Sequence, residues 1–181
     1  MPKRKDQLTG GSGDVNPQYM IFTVAQPGVD ANTKLAQQLP IPRLPTREGK
    51  NLVMEVLEVE YFLNTPTAGV INTTPAFVAA VSTNPNLLVT GLQIAQDPRT
   101  MSFWANALTN INNTGVFDQE VQHVDDLTDR AGHGILIATD QLYFQVQSGA
   151  TTQANVVVFR LLYRMKEVSL VEYIGIVQSQ Q

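Results

Sequence analysis

Ala154-Asn155-Val156-Val157-Val158-Phe159-Arg160-Leu161-Leu162-Tyr163-Arg164-Met165 contains no glycine or proline and is dominated by β-branched, aromatic and long aliphatic residues. Such residues fit a pleated, half-buried strand. Val157, Phe159, Leu161, Tyr163 and Met165 recur at period two, and Arg160 and Arg164 fall in the other phase with Lys166 just beyond. The alternation predicts a strand that buries one face and presents a cationic row on the other. Val168–Val177 follows with the same enrichment in Val, Ile and Tyr and reads as a further long strand.

Working outward, Ile135–Thr139 and Leu142–Gln147 read as short strands around Asp140, closed by the turn Ser148-Gly149-Ala150. Leu52–Leu63 reads as a long strand with a change of phase. Leu52, Met54 and Val56 alternate in one register, then Leu57, Val59, Tyr61 and Leu63 in the other, with Glu58 and Glu60 opposite. A shift of one residue within a strand predicts a β-bulge near Val56–Leu57. Tyr19–Ala25, Phe77–Ser82 and Leu87–Ala95 add strands, the last two split by Asn84-Pro85-Asn86, and Val116–Val124 alternates imperfectly. The prolines at 40, 42 and 45 predict an extended connection over residues 30–50. Met101–Leu108 is open to a short helix or an irregular loop around Trp104, and Asp125–Gly134 reads as a polar loop. No segment carries a helical stripe and no repeat recurs. The expected fold is all-β: a single jelly roll, an eight-stranded two-sheet antiparallel β-sandwich, spanning 19–181 behind a flexible N-terminal arm over 1–18. The loops at 64–76, 97–115 and 125–134 are where surface function is expected.

With 181 residues, one domain with a substantial core is expected. Charged residues make up only 15%, against about a quarter in an average soluble chain. A surface poor in charge fits one that is covered by self-association, and a Thr/Asn/Gln-rich polar surface accounts for it equally well. The chain has no cysteine, which excludes a disulfide framework, thiolate zinc sites and thiol catalysis. No stretch approaches a membrane span and no secretion signal is legible, so the sequons at Asn72 and Asn112 read as chance matches.

Chemistry is sparse. His123 and His133 are the only histidines, and neither a nucleophile elbow nor a phosphate-binding glycine loop occurs. Gly10-Gly11-Ser12-Gly13 reads as a linker. No enzyme is therefore expected. Asp125, Asp126 and Asp129, with Asp118 and Glu120 upstream, could supply oxygen ligands to a structural calcium, although their spacing matches no EF-hand. No other cofactor is expected. Two basic groups are candidates for phosphate contact: Lys3-Arg4-Lys5 on the arm, and Arg160, Arg164 and Lys166 on the strand face. A solubilising or nuclear-localising terminus is the competing use of the first group. Pairing with acidic neighbours such as Glu58 or Glu60 is the competing use of the second. The net charge of −4 argues against a general nucleic-acid binder.

The run Gln153–Val168, leading into Val171-Glu172-Tyr173-Ile174-Gly175-Ile176-Val177-Gln178-Ser179-Gln180-Gln181, resembles the ending of capsid proteins from small circular, Rep-encoding single-stranded DNA viruses. Pro2-Lys3-Arg4-Lys5-Asp6-Gln7-Leu8-Thr9-Gly10-Gly11 with Asp14-Val15-Asn16-Pro17 is similar to the openings of the same group. The resemblance covers both ends, roughly a third of the chain. It implies a jelly-roll coat protein that assembles with copies of itself, about sixty in the simplest closed icosahedral shell, around viral genomic DNA. The implied location is the virion, with a nuclear stage of assembly compatible with it, and the implied partners are a host receptor and no membrane. The arm departs from circovirus coats, whose arms are long and Arg-rich. The alternative is a β-sandwich lectin or carbohydrate-binding module, with Trp104, Tyr19 and Tyr61 as stacking residues.

Overall fold

The computed structural model describes residues 16–26, 34–41, 50–63, 76–85, 96–107, 109–111, 116–118, 121–149 and 155–180. The elements are β1 (Gln18–Ala25), β2 (Lys34–Pro40), β3 (Lys50–Leu63), β4 (Ala76–Ser82), β5 (Thr100–Ala107), β6 (Thr109–Ile111), β7 (Val116–Asp118), β8 (Gln122–Asp126), β9 (Ile135–Ile137), β10 (Gln141–Gly149), β11 (Val156–Ser169) and α1 (Leu170–Ser179). One sheet runs β1-β11-β3-β8, with β9 also on β3; the other runs β2-β10-β4-β5, and β6 and β7 pair separately. Every pairing is antiparallel. Because β8 and β9 succeed one another along the same edge of β3, the described residues give four strand positions in each sheet, the jelly-roll arrangement. The arm up to residue 15, the expected strand Leu87–Ala95 and residues 64–75 of the loop expected at 64–76 lie outside the described residues, and Ala76 opens β4.

The core forms where the period-two faces of the sheets meet. Phe22, Tyr61 and Phe159 from one sheet interlock with Phe77, Trp104 and Phe144 from the other. Phe144 stacks on Phe22 at 4.8 Å and lies 4.9 Å from Phe159, separations at which aromatic pairs add to area burial. A buried polar knot ties three strand ends together. Gln26 Oε1 accepts from Ser148 Oγ and from the backbone and side-chain nitrogens of Asn155.

The phase change in β3 is a bulge. β11 pairs Leu162 with Glu58 and Tyr163 with Val56, skipping Leu57. The extra residue brings Met54 and Val56 onto the same core face as Val59, Tyr61 and Leu63. It also divides the neighbouring edge, with β8 pairing to Glu58–Phe62 and β9 to Met54–Val56. The carbonyl of Leu57, which β11 skips, accepts from Leu127 N–H at 2.9 Å, as a buried acceptor must.

Three expectations are corrected. The connection over 30–50 contains β2, an edge strand in which Pro40 is the last residue, a position where a missing N–H costs no ladder bond. Of the stretch Met101–Leu108, the described residues 101–107 are neither helix nor loop: β5 is an edge strand with Ser102 and Trp104 buried. Val168–Val177 is not a strand. β11 continues to Ser169, which caps α1 by accepting from Glu172 N–H at 3.2 Å.

The helix lies on the outside of the β1-β11-β3-β8/β9 sheet. Tyr173, Ile176 and Val177 cover Val53, Leu136, Ala138 and Val168. Gln180 fastens its far end, donating to Leu136 O at 2.6 Å and accepting from Ala138 N at 3.1 Å, much as a neighbouring strand would. Gln180→Ala leaves both groups without this partner and is expected to cost about 1–2 kcal/mol. The loss is expected to be local, so faster amide exchange at Ala138 and along α1 with unchanged exchange in β10 is the outcome to check by hydrogen–deuterium exchange.

Candidate functional site

The outer face of the β1-β11-β3-β8 sheet gathers most of the residues that the sequence singles out. The register sets three rows across it: Thr23, Val158, Phe62, Gln122; then Ile21, Arg160, Glu60, Val124; then Tyr19, Leu162, Glu58, Asp126. Arg160 lies against Glu60 at 3.4 Å and over the Tyr19 ring at 4.0 Å from its centroid, a cation–π contact. Ile21 is 67% and Tyr19 53% exposed, so this face keeps apolar surface in water around a charged centre.

Further along β11, Arg164 Nε donates to Glu55 Oε2 and Lys166 Nζ sits 3.6 Å from Glu55 Oε1. The Glu55 side chain is wholly buried and also accepts from Gly134 N–H at 3.1 Å. Burial alone would raise its carboxyl. The Arg164 hydrogen bond, the Gly134 amide and the charges of Lys166 and Arg164 outweigh that and hold it below the usual carboxylate range. Glu58 goes the other way, raised by burial, by its hydrogen bond to Glu60 and by the charges of Glu60 and Asp126, with Arg160 opposing. The cationic row expected from the sequence is thus an ion-paired row, with Glu60 and Glu55 as its partners.

The three aspartates do not converge. Asp125 turns inward and accepts from Ser102 Oγ at 2.6 Å. Asp126 accepts from Thr128 N–H and Oγ1, and Asp129 accepts from the amides of Ala131 and His133 and contacts His133 Nδ1. Hydrogen bonds hold the last two carboxyls below their ordinary value, from the Thr128 side chain for Asp126 and the His133 amide for Asp129. Among the described residues no group of three His, Cys, Asp or Glu is placed to hold a metal ion. Lys3, Arg4, Lys5, Asp118's side chain and Glu120 lie outside what is described.

At the edge where β5 faces β8, Tyr61 hydroxyl, Ser102 Oγ and Asp125 form a chain, and burial pushes the Tyr61 phenol well above its ordinary value. His123 Nε2 is 3.7 Å from Asp125 and its ring stacks on Trp104 at 5.9 Å. This is not a nucleophilic order. In a hydrolytic triad the imidazole stands between hydroxyl and carboxylate; here the carboxylate stands between, and Ser102 is 2% exposed. The cluster pins one sheet to the other. Sequence reasoning missed Ser102 and Glu55. For Glu55 a signal existed, a carboxylate inside the apolar run Val53-Met54-Glu55-Val56.

The fold and this face define a jelly-roll sandwich with a half-apolar outer sheet. Solved structures with that fold include VP1 of Trichodysplasia spinulosa-associated polyomavirus in complex with sialylated precision glycooligomers. It matches at a TM-score of 0.54 and 12% identity, covering 87% of this chain and 98% of that one. Merkel cell polyomavirus VP1 in complex with GD1a oligosaccharide matches at 0.52 and 11%, covering 90% and 98%. Merkel cell polyomavirus VP1 as an unassembled pentamer matches at 0.52 and 10%, covering 87% and 99%. No protein-family model matches the chain, and no curated protein sequence does.

Proposed function

We propose that the chain is a viral capsid subunit that assembles with copies of itself into a closed icosahedral shell around a single-stranded DNA genome. The observation that carries the reading is the four-plus-four jelly-roll order, matched along 87% or more of this chain by the VP1 structures above. The low charge content and the exposed apolar residues of the outer sheet support self-association. Because Arg160, Arg164 and Lys166 are held by Glu60 and Glu55, phosphate contact falls to Lys3, Arg4 and Lys5. Three cations per copy bind weakly, and a shell multiplies them. Purified protein is expected to run as uniform spheres in negative stain, and sixty copies of 19.9 kDa give about 1.2 MDa by light scattering. Only monomers or dimers across a range of salt and pH would overturn the proposal. Nuclease typing of any protected nucleic acid separates DNA from RNA cargo.

A further inference from the structure

Glu58, Glu60 and Asp126 stand on the outer face of the β1-β11-β3-β8 sheet with, among the described residues, a single guanidinium, Arg160, between them. When all are ionised the patch keeps two negative charges in excess. Two of its residues, Glu58 and Asp126, share the row that ends on Tyr19, one residue from the start of β1 at Gln18. The chain therefore enters this sheet beside the patch. What precedes Gln18 in sequence carries Lys3-Arg4-Lys5 followed by Asp6, two positive charges in excess, and no further charge until Asp14.

We infer that the Lys3-Arg4-Lys5 segment docks on the acidic face of its own sheet, against Glu58 and Asp126 beside the pair of Arg160 with buried Glu60, so that the face and any nucleic acid compete for the same three cations. Reach permits it. Strands lie about 4.8 Å apart, so from β1 the Glu58 position is about 10 Å away and Asp126 about 15 Å. Twelve residues lie between Lys5 and Gln18, and a chain rich in Gly and Ser of that length has an r.m.s. span of about 20 Å. A tether slightly longer than its span gives an effective concentration near the millimolar range. The crowding that raises Glu58 is relieved when a cation arrives, and Tyr19, Ile21 and Val124 frame the charges with apolar surface. The docking itself goes beyond the capsid reading; the competition with nucleic acid rests on it.

The test is zero-length carbodiimide crosslinking of the dilute full chain at low salt without nucleic acid, mapped by mass spectrometry. Crosslinks from Lys3 or Lys5 are expected to concentrate on Glu58 and Asp126 and to fall about fivefold at 1 M salt, where charges are screened beyond about 3 Å. Crosslinks spread over exposed carboxylates such as Asp129 and Glu172, or insensitive to salt, overturn the docking. A Glu58→Gln/Asp126→Asn variant, which leaves the Arg160–Glu60 pair in place, is expected to bind a single-stranded oligonucleotide about threefold to tenfold more tightly than the parent chain. Unchanged affinity overturns the competition. Particle formation is read separately by microscopy, so missing particles count against the capsid reading alone, and missing crosslinks against the docking alone.

Discussion

Glu55→Ala is expected to destabilise the sandwich by roughly 3–5 kcal/mol, the range for removing one partner of a buried ion pair. The side chain has no exposed surface, and Arg164 and Lys166 are turned toward it from β11 while Gly134 N–H reaches it from the segment before β9. Removing the carboxylate takes the counter-charge away from two cations, each only a quarter exposed, and orphans an amide. Chemical denaturation with circular dichroism reads the loss as a lower midpoint. Replacing Glu55 and Arg164 together by leucine is expected to cost less than Glu55→Ala, because an apolar pair of similar volume leaves fewer charges unmatched. The pH dependence has a definite sign. The carboxyl is held below its ordinary value in the folded chain and regains it on unfolding. Its contribution is therefore complete above the unfolded value of about 4.3 and is lost as the pH falls through the folded one. In Glu55→Gln that acid-side loss is expected to be shallower than in the parent protein.

Much of this was legible in the residues because the core-forming strands obey period two. β11 and β3 each give the alternation that their faces require, and even the bulge at Leu57 is written as a change of phase. The edge elements were less legible because tertiary context decides them. β2 satisfies only one side of its ladder, so Pro40 is tolerated at its end, and nothing local distinguishes that from a linker. In α1 the residues are β-formers by propensity, yet burying Tyr173, Ile176 and Val177 on Val53 and Val168 outweighs propensity. The local signal was Ser169-Leu170-Val171-Glu172, the spacing of a capping box. At the candidate site, the cationic row was legible from alternation, and so was pairing with Glu60. Its pairing with Glu55 was not, because the register across the bulge decides which carboxylate faces Arg164.

Gly134→Ala is expected to be far more damaging than alanine at Gly132 or Gly175. A Cβ there would stand 2.0 Å from the Val56 carbonyl oxygen and 3.0 Å from Leu57 Cδ2. The first neighbour is backbone, held by β11 on one side and β9 on the other, so it cannot turn aside as a side chain would. Either the bulge in β3 flattens or the segment entering β9 lifts off, and lifting also takes the Gly134 amide away from Glu55. The expected loss is about 3 kcal/mol or more, at the upper end for overpacking, read as a lower urea midpoint with faster amide exchange in β9. Two other glycines are internal controls. Gly132 has φ +81° and open space around it, so alanine there meets only backbone strain of about 1 kcal/mol. Gly175 lies within α1 with nothing within 4 Å, and alanine there is expected to stabilise by about 0.5–1 kcal/mol. A series in which 134 is severe, 132 mild and 175 favourable places the constraint at the contact between Gly134 and the β3 bulge. Equal effects at 134 and 132 would instead assign the cost to the loop and remove the bulge from the explanation.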